Sequence, residues 1–241
     1  MSSALPPINF KRNNRCFCES GQRFKHCCGS TRPDRATPSG ICIVEDFLSP
    51  SECQAIVAIA ATLPSERLKI MDLEKTTAEK VVRRFDEHRV TERVQMQDNQ
   101  GLLDTNITRA VENIIAPALN SSFDWFEQPH LLRYRPGGFY ANHADSESID
   151  QTTGDWGRVI DRDISVLLYL DDNFEGGELL FGNFEYAVKP KPGMLVYFPS
   201  DRRYMHCALP VTSGQRHAIV SWLAQRGVDK MREAPEDATL L

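Results

Sequence analysis

The spacing of apolar residues along this chain predicts helices in its first half. Apolar side chains in the stretch 105–120 recur every three or four positions, which is the period of an amphipathic helix, and Pro117 is expected to disturb its end. An earlier helix is predicted to begin at Ser49 and Pro50, because Ser is a good helix cap and Pro suits the first helical position.

From Leu131 onwards the pattern changes to short runs of β-branched, aromatic and aliphatic residues that are separated by Gly, Pro, Asn and Asp. Such runs are typical of strands. We interpret the following runs as strands: LLRYRPGGFYANHAD, ISVLLYLDD, ELLFG, FEYAV, MLVYFP, YMHCALPV and HAIVSWL. Helices followed by a series of short strands predict an α+β domain built around a sandwich or jelly-roll barrel.

Changes in composition divide the chain into four segments. They are a cysteine-rich module (1–31), a Pro/Gly/Ser-containing linker (32–40), a main domain (41–225) and a polar C-terminal tail (226–241). We expect the tail to be frayed unless its final leucines dock on the domain.

The composition is that of an ordinary soluble protein, with 41% hydrophobic and 25% charged residues. No apolar run is long enough to span a membrane, and the N-terminus lacks the pattern of a secretion signal, so we expect a cytoplasmic protein. The net charge of −5 conceals an asymmetry, because residues 1–40 carry seven Lys and Arg against two Asp and Glu. This basic region either contacts an acidic protein or RNA surface or is simply solvated.

Four of the seven cysteines lie close together near the N-terminus: Cys16, Cys18, Cys27 and Cys28. They form either disulfides or a metal site. Disulfides are rare in the cytoplasm, and four thiolates give the closed tetrahedral set that suits structural zinc. A module this small also lacks enough core to fold without such a staple. We therefore predict a zinc site.

This stretch resembles the SEC-C zinc-binding motif in its CFC, ESGQRFK and CCG elements and in the preceding Arg-Asn-Asn. Glu19 departs from the motif, which usually has Gly at this position. The resemblance implies an appended module that contacts proteins or the ribosome, so a partner in the translation apparatus is expected.

The main domain carries a second candidate metal site. His143 and Asp145 are two residues apart on a predicted strand and so share a face, while His206 lies on another strand and Arg216 follows it. Two histidines and one carboxylate form the facial triad that holds Fe(II) and leaves positions open for a 2-oxo acid and O2. Each residue alone is equally well explained as a core histidine or a salt-bridged arginine.

Residues 41–223 resemble the Fe(II)/2-oxoglutarate dioxygenases of the prolyl-4-hydroxylase-like branch. The matching motifs are EDFLSPSEC, RYRPGGFYANHAD, LLYLDDNFEGGELLF, KPGMLVYFP and HCALPVTSGQRHAIVSW. The resemblance implies a double-stranded β-helix (jelly-roll) core with supporting N-terminal helices, and ascorbate as reductant. It implies the following site residues: His143, Asp145 and His206 as iron ligands, and Arg216, Tyr134 and Tyr169 as ligands of the 2-oxoglutarate C5 carboxylate.

By the same resemblance, Tyr140, Arg162 and Trp222 line a substrate pocket, although core packing and a solvated strand end also explain them. Segment 69–97 is either a mobile lid or ordinary surface. The predicted reaction is peptidyl-prolyl 4-hydroxylation of a cytosolic protein, with release of succinate and CO2. Two alternatives stay open: a dioxygenase of the same fold that acts on another residue or a small molecule, and a non-catalytic metal-binding scaffold.

Overall fold

The structure is a computed structural model. It describes residues 13, 15, 22–26, 37–71, 83–84, 86–150 and 152–241. The four clustered cysteines lie outside these ranges. In the described part of the N-terminal module, Arg15 and Arg23 form an isolated antiparallel bridge.

The helices precede most of the strands, as the apolar spacing predicts. They are α1 (Pro50–Thr62), α2 (Gln100–Ala110), a π-helical turn (Val111–Ile115), α3 (Ala116–Leu119) and 3₁₀ turns at Phe24–His26, Gln97–Asn99, Gly182–Phe184 and Arg202–Tyr204. None of the helices in the described ranges combines the length and apolar character needed to cross a bilayer.

Both predicted helices are present, with one difference in extent. Helix α1 begins at Pro50 with Ser49 as its cap. The second helical stretch starts at Gln100, five residues earlier than predicted, and its π turn immediately precedes the segment with Pro117. Pro lacks an amide hydrogen and crowds the preceding turn, so a wider turn accommodates it.

The strands in chain order are β1 (Cys42–Val44), β2 (Ser65–Arg67), β3 (Ile70–Met71), β4 (Arg83–Arg84), β5 (Arg89–Val90), β6 (Glu92–Val94), β7 (Phe123–Phe126), β8 (His130–Tyr134), β9 (Phe139–His143), β10 (Glu147–Ile149), β11 (Trp156–Arg158), β12 (Ile164–Tyr169), β13 (Phe174–Gly176), β14 (Leu179–Phe181), β15 (Tyr186–Val188), β16 (Leu195–Pro199), β17 (His206–Ala208), β18 (Val211–Gly214), β19 (Arg216–Gln225) and β20 (Thr239–Leu240).

Two sheets dominate the domain. The larger has the order β1-β16-β12-β19-β8-β6-β2, with β7 also paired to β19 and β20 paired to β7. The smaller has the order β15-β14-β17-β9-β5, and β3–β4, β10–β11 and β13–β18 form separate pairs. All these pairings are antiparallel, and their many crossovers between non-consecutive strands confirm the predicted α+β jelly-roll fold.

Each central strand of the larger sheet is buried on both faces. In β12, Val166 and Leu168 pack toward the helices, whereas Leu167 and Tyr169 pack toward the smaller sheet. This burial explains why β12 appears in the sequence as one apolar run rather than an alternation. The space between the two sheets is therefore walled by side chains from both.

Segment 69–97, interpreted from the sequence as a lid or as surface, is in part a component of both sheets. Strand β5 pairs with β9 in the smaller sheet, and β6 lies between β2 and β8 in the larger one. Residues 72–82 of the segment are outside the described ranges. The part from 89 to 94 is thus a fixed wall of the domain.

The prediction of a frayed C-terminal tail is wrong, because the tail pairs with the domain through its backbone, while the side chains of Leu240 and Leu241 stay exposed. Strand β20 pairs with β7, and the amide of Leu241 donates to the carbonyl of Asp124. The Asp161 carboxylate accepts hydrogen bonds from the amides of Met231 and Arg232. These backbone bonds hold the tail on the domain despite its polar sequence.

Candidate active site

Three side chains of types that bind metals converge between the two sheets. His143 ends β9, His206 begins β17, and Asp145 follows β9. Their donor atoms all lie within 4.8 Å of one another. The Nε2 atoms of His143 and His206 are 3.4 and 3.6 Å from the two oxygens of the Asp145 carboxylate.

Backbone contacts fix the orientation of both imidazole rings. Nδ1 of His143 lies 2.8 Å from the Ala141 carbonyl, and Nδ1 of His206 lies 3.0 Å from the Tyr204 carbonyl. A carbonyl only accepts hydrogen bonds, so each Nδ1 carries the proton and each Nε2 presents its lone pair to the site. This is the usual second contact of a metal-binding histidine.

The Asp145 carboxylate is held by two buried serines. The Ser165 hydroxyl lies 2.6 Å from Asp145 Oδ2 and 2.8 Å from the hydroxyl of Ser200. The amide of Asp145 also donates to the Ser200 carbonyl. Both hydroxyls are almost completely inaccessible to solvent, so the hydrogen bond to the carboxylate is protected from exchange with water.

The electrostatics of the cluster favour a neutral His206 and an ionised Asp145, which are the forms that bind metals. Burial and the nearby His143 lower the pKa of His206 to about 4, so its ring is neutral near pH 7. Burial alone would raise the pKa of the Asp145 carboxyl, but His206 and His143 outweigh it and hold that pKa well below its usual range. The cluster therefore offers the neutral imidazole of His206 and the Asp145 carboxylate beside His143.

This donor set fits a divalent metal. Two donors of one ion with bonds of about 2.1 Å lie at most about 4.2 Å apart, and both imidazole–carboxylate separations are shorter than that. Two histidines and a carboxylate on one side leave the other coordination positions open, which is the arrangement of non-haem Fe(II) oxygenases.

Arg216 is a buried cation that forms no ion pair with any acidic residue in the described ranges. It is 1% exposed, and Nη2 donates to the Tyr169 hydroxyl at 3.2 Å. Its Cζ lies 4.6 Å from the ring centroid of Tyr134 and 5.0 Å from that of Tyr169. Nε and Nη1 are buried and have no hydrogen-bond partner among the residues that the structure describes. Such unsatisfied donors are costly, so their presence beside the donor cluster indicates a site for an anionic ligand.

Arg216 shares one cleft with His143, Asp145 and His206. Besides these residues, the cleft is lined by Tyr134, Tyr140, Trp222 and Arg89, with apolar side chains from both sheets between them. A concave, mostly apolar pocket with a few convergent polar groups is the usual form of a small-molecule site.

The two aromatic residues predicted to contact substrate each carry a cation on one face. The rings of Tyr140 and His143 stack with their centroids 3.7 Å apart, and Cζ of Arg89 lies 4.4 Å from the centroid of the Tyr140 ring. Since the imidazole fills one face of Tyr140, the guanidinium covers the other. Both faces of the Tyr140 ring are therefore covered by side chains of the domain.

Arg162 is placed near the site but is already paired. It forms a two-pronged ion pair with Glu127, with contacts of 2.5 and 2.6 Å, and its Cζ lies 3.6 Å from the Trp222 ring centroid. Its Nη1 is 3.5 Å from the Asp145 carbonyl. The predicted role of Arg162 in substrate binding stays a prediction.

Sequence reasoning missed four residues of this site: Ser165, Ser200, Glu127 and Arg89. Ser165 has a detectable signal, because it is a polar residue within the otherwise apolar strand β12. Ser200, Glu127 and Arg89 have no such signal in the local sequence, because each reaches the site from a different part of the chain.

Comparisons with known proteins agree with this geometry. The sequence model of the 2OG-Fe(II) oxygenase superfamily matches residues 129–224, and that of the SEC-C motif matches residues 12–30. Residues 129–224 are therefore similar to the 2OG-Fe(II) oxygenase superfamily.

Among the relatives, prolyl 4-hydroxylase 1 of Arabidopsis thaliana is 28% identical over 82% of this chain and 74% of its own length. Prolyl 4-hydroxylase 13 of the same plant is 26% identical over 76% of this chain and 70% of its own length. A relative from Acanthamoeba polyphaga mimivirus is 33% identical over 46% of this chain, and the match spans only 50% of that relative.

Solved structures share the fold. The viral collagen prolyl hydroxylase of Paramecium bursaria Chlorella virus-1 superimposes with a TM-score of 0.54 at 21% identity, covering 76% of this chain and 95% of that one. A Trichoplax adhaerens prolyl hydroxylase in complex with a hypoxia-inducible-factor peptide superimposes with a TM-score of 0.52 at 21% identity, covering 77% and 83% of the two chains.

Proposed function

We propose that this protein is a 2-oxoglutarate- and O2-dependent hydroxylase that acts on a prolyl residue of a protein. Per turnover, one 2-oxoglutarate and one O2 yield succinate, CO2 and one oxygen atom inserted into a C–H bond of the substrate. The metal and the 2-oxo acid supply this redox chemistry, while the protein supplies binding, orientation and a sheltered cleft.

The observation that carries the proposal is the combination of two features in one cleft. His143, Asp145 and His206 form a donor set that fits Fe(II), and Arg216 offers unpaired, buried guanidinium donors beside it. A planar guanidinium matches a carboxylate through two parallel hydrogen bonds. In this proposal Arg216 and the Tyr169 hydroxyl bind the distal carboxylate of 2-oxoglutarate, with Tyr134 packed against the guanidinium.

Prolyl hydroxylation in particular is favoured by the relatives, whose names describe prolyl 4-hydroxylases. The protein-substrate part is also favoured by the Trichoplax adhaerens enzyme, which was solved with a peptide. In this chain Trp222 and Tyr140 provide aromatic side chains on the cleft, and the Tyr140 ring stacks on that of His143.

The test is incubation of the purified protein with Fe(II), 2-oxoglutarate, ascorbate and fractionated cell proteins, followed by peptide mass spectrometry. We expect a proline of at least one protein to gain one oxygen, only when 2-oxoglutarate is present and not with His143→Ala. Material captured by His143→Ala and then sequenced separates this function from its alternatives. An oxygen gain on another residue or on a small molecule indicates a different dioxygenase, and absence of succinate formation indicates a non-catalytic scaffold.

We further propose that Cys16, Cys18, Cys27 and Cys28 hold a structural zinc ion in the SEC-C motif, and that this basic module binds an acidic surface of the translation apparatus in the cytoplasm. The motif match and the cysteine spacing support the zinc site. Metal analysis of the purified protein is expected to find one zinc that survives His143→Ala, and one iron site that survives Cys27→Ser.

A further inference from the structure

Besides Arg216, two guanidinium groups lie against aromatic side chains of the cleft, and only one of them is paired with a carboxylate in the described residues. Arg162 lies over Trp222 and is neutralised by a two-pronged ion pair with Glu127. Arg89 lies over Tyr140. Within the part of the chain that the structure describes, Arg89 has no ion pair with an acidic residue.

The Arg89 side chain lines the cleft from a fixed position. Arg89 and Tyr140 are directly opposite each other in the pairing of β5 with β9, and the Arg67 guanidinium donates to the Arg89 carbonyl at 3.2 Å. Arg89 Nε is buried and has no hydrogen-bond partner. The cation is thus held at the cleft by backbone pairing and by stacking on an aromatic ring.

The other charges of the cleft are accounted for by the proposed function. Asp145 faces the two imidazoles and the metal, and Arg216 faces the distal carboxylate of 2-oxoglutarate. Arg89 is then the remaining cleft cation without an anionic partner in the described residues. A partly buried guanidinium gains most from a carboxylate, because the resulting hydrogen bonds are charge-assisted and two-pronged.

We propose that Arg89 binds an acidic side chain of the protein substrate, an Asp or Glu close to the residue that is hydroxylated. This inference rests on the proposed hydroxylase function and adds a substrate class to it. The stacking of Tyr140 between His143 and Arg89 sets the distance between the acid-binding group and the metal-binding side chains.

The test uses capped peptides with a central proline and one variable residue on either side of it, in matched sets with Glu, Gln or Lys at that position. The measured quantity is kcat/KM for oxygen gain on proline. Wild type is expected to favour the Glu set over the Gln set by roughly tenfold, as for a charge-assisted hydrogen bond. Arg89→Gln is expected to remove this preference, and Arg89→Glu to shift it to the Lys set.

Arg135→Gln serves as the matched control, because it also removes one positive charge but from a half-exposed residue that pairs with Glu92. It is expected to keep the wild-type preference. The charge reversal with Arg89→Glu distinguishes substrate recognition from mere support of Tyr140, which would not make any variant favour lysine.

Succinate formation, measured in the same reactions, separates two kinds of failure. If wild type forms succinate but does not discriminate the Glu from the Gln set, or if Arg89→Glu keeps the preference for Glu, the role of Arg89 is overturned and the hydroxylase function stands. If wild type forms no succinate, the hydroxylase function fails, and this inference fails with it.

Discussion

His143 and His206 lie directly opposite each other on the neighbouring antiparallel strands β9 and β17, with their ring centroids 4.4 Å apart. Cross-strand neighbours are positioned by the hydrogen bonds of the sheet. Two metal donors that are distant in the sequence are thus brought together by backbone pairing. Only Asp145, beyond the end of β9, needs side-chain contacts to complete the set.

Those contacts lead to the first prediction. Replacing Ser165 with Ala removes the hydroxyl that donates to Asp145 Oδ2. We expect the affinity for Co(II), as a substitute for Fe(II), to fall about 10- to 100-fold, because groups that orient metal ligands typically have effects of this size. Equilibrium dialysis measures the dissociation constant. Ser213→Ala, which alters an exposed serine, is the control, and an unchanged affinity in Ser165→Ala would show that the serine pair does not orient the carboxylate.

The second prediction concerns the binding of 2-oxoglutarate. Arg216→Gln is expected to weaken it by at least about tenfold, since hydrogen bonds to charged groups contribute about 1.5–3 kcal/mol. Anaerobic calorimetric titration of the Co(II)-loaded protein measures this affinity. Arg135→Gln is expected to bind 2-oxoglutarate like wild type. A wild-type affinity in Arg216→Gln would show that Arg216 does not bind the carboxylate of 2-oxoglutarate.

Some features of the fold follow directly from local sequence. Helix α1 starts where Ser49 and Pro50 predict it, and the apolar run of β12 is a buried strand. Strands β2 and β6 escape prediction, because their sequences Ser-Glu-Arg and Glu-Arg-Val show no apolar alternation. They join the sheet edge through charged pairs such as Arg133 with Glu92, which only tertiary structure brings together.

The site likewise contains residues that the sequence predicts and residues that it does not. Their spacing and the family resemblance predict four site residues, and the structure brings all four into one cleft: His143, Asp145, His206 and Arg216. Arg89 was not found, because nothing in its own surroundings in the sequence distinguishes it from other surface arginines. Arg89 reaches the cleft only because β5 pairs with β9, which places it opposite Tyr140.

The third prediction is a pH dependence of stability that originates at the start of α1. Hydrogen bonds from the amide and hydroxyl of Ser49, followed by Arg109, lower the pKa of Glu52 to about 2. A lowered pKa contributes stability above the unfolded-state pKa, near 4.5, and this contribution is lost as the pH falls toward 2.

We therefore expect Glu52→Gln to be less stable than wild type near pH 6, with the difference shrinking as the pH falls from about 4.5 to about 2. The difference is expected to be at most about 1 kcal/mol, because this carboxylate is largely exposed. Urea unfolding at several pH values measures it. Glu236→Gln, at an exposed position in the tail, is the control, and a difference independent of pH would contradict the assignment.

The fourth prediction concerns the turn that leads into β16. Gly193 has a φ of +76°, its carbonyl accepts from the amides of Phe47 and Leu48, and a Cβ there would lie 2.0 Å from the Leu48 carbonyl oxygen. Gly193→Ala is expected to destabilise the protein by about 1–3 kcal/mol or more. Gly157→Ala is the matched control, because its Cβ meets nothing within 4 Å. Urea unfolding that finds equal stabilities for the two variants would contradict this reading of the turn.

The central claim is that the side chains of His143, Asp145, His206 and Arg216 together support turnover of 2-oxoglutarate. Its most direct test is the rate of succinate formation by the purified protein with Fe(II), O2, ascorbate and the proline peptides. We predict that wild type and Arg135→Gln form succinate, whereas His143→Ala forms none and Arg216→Gln requires far more 2-oxoglutarate. Succinate formation by His143→Ala at the wild-type rate, or none by wild type, would contradict the claim.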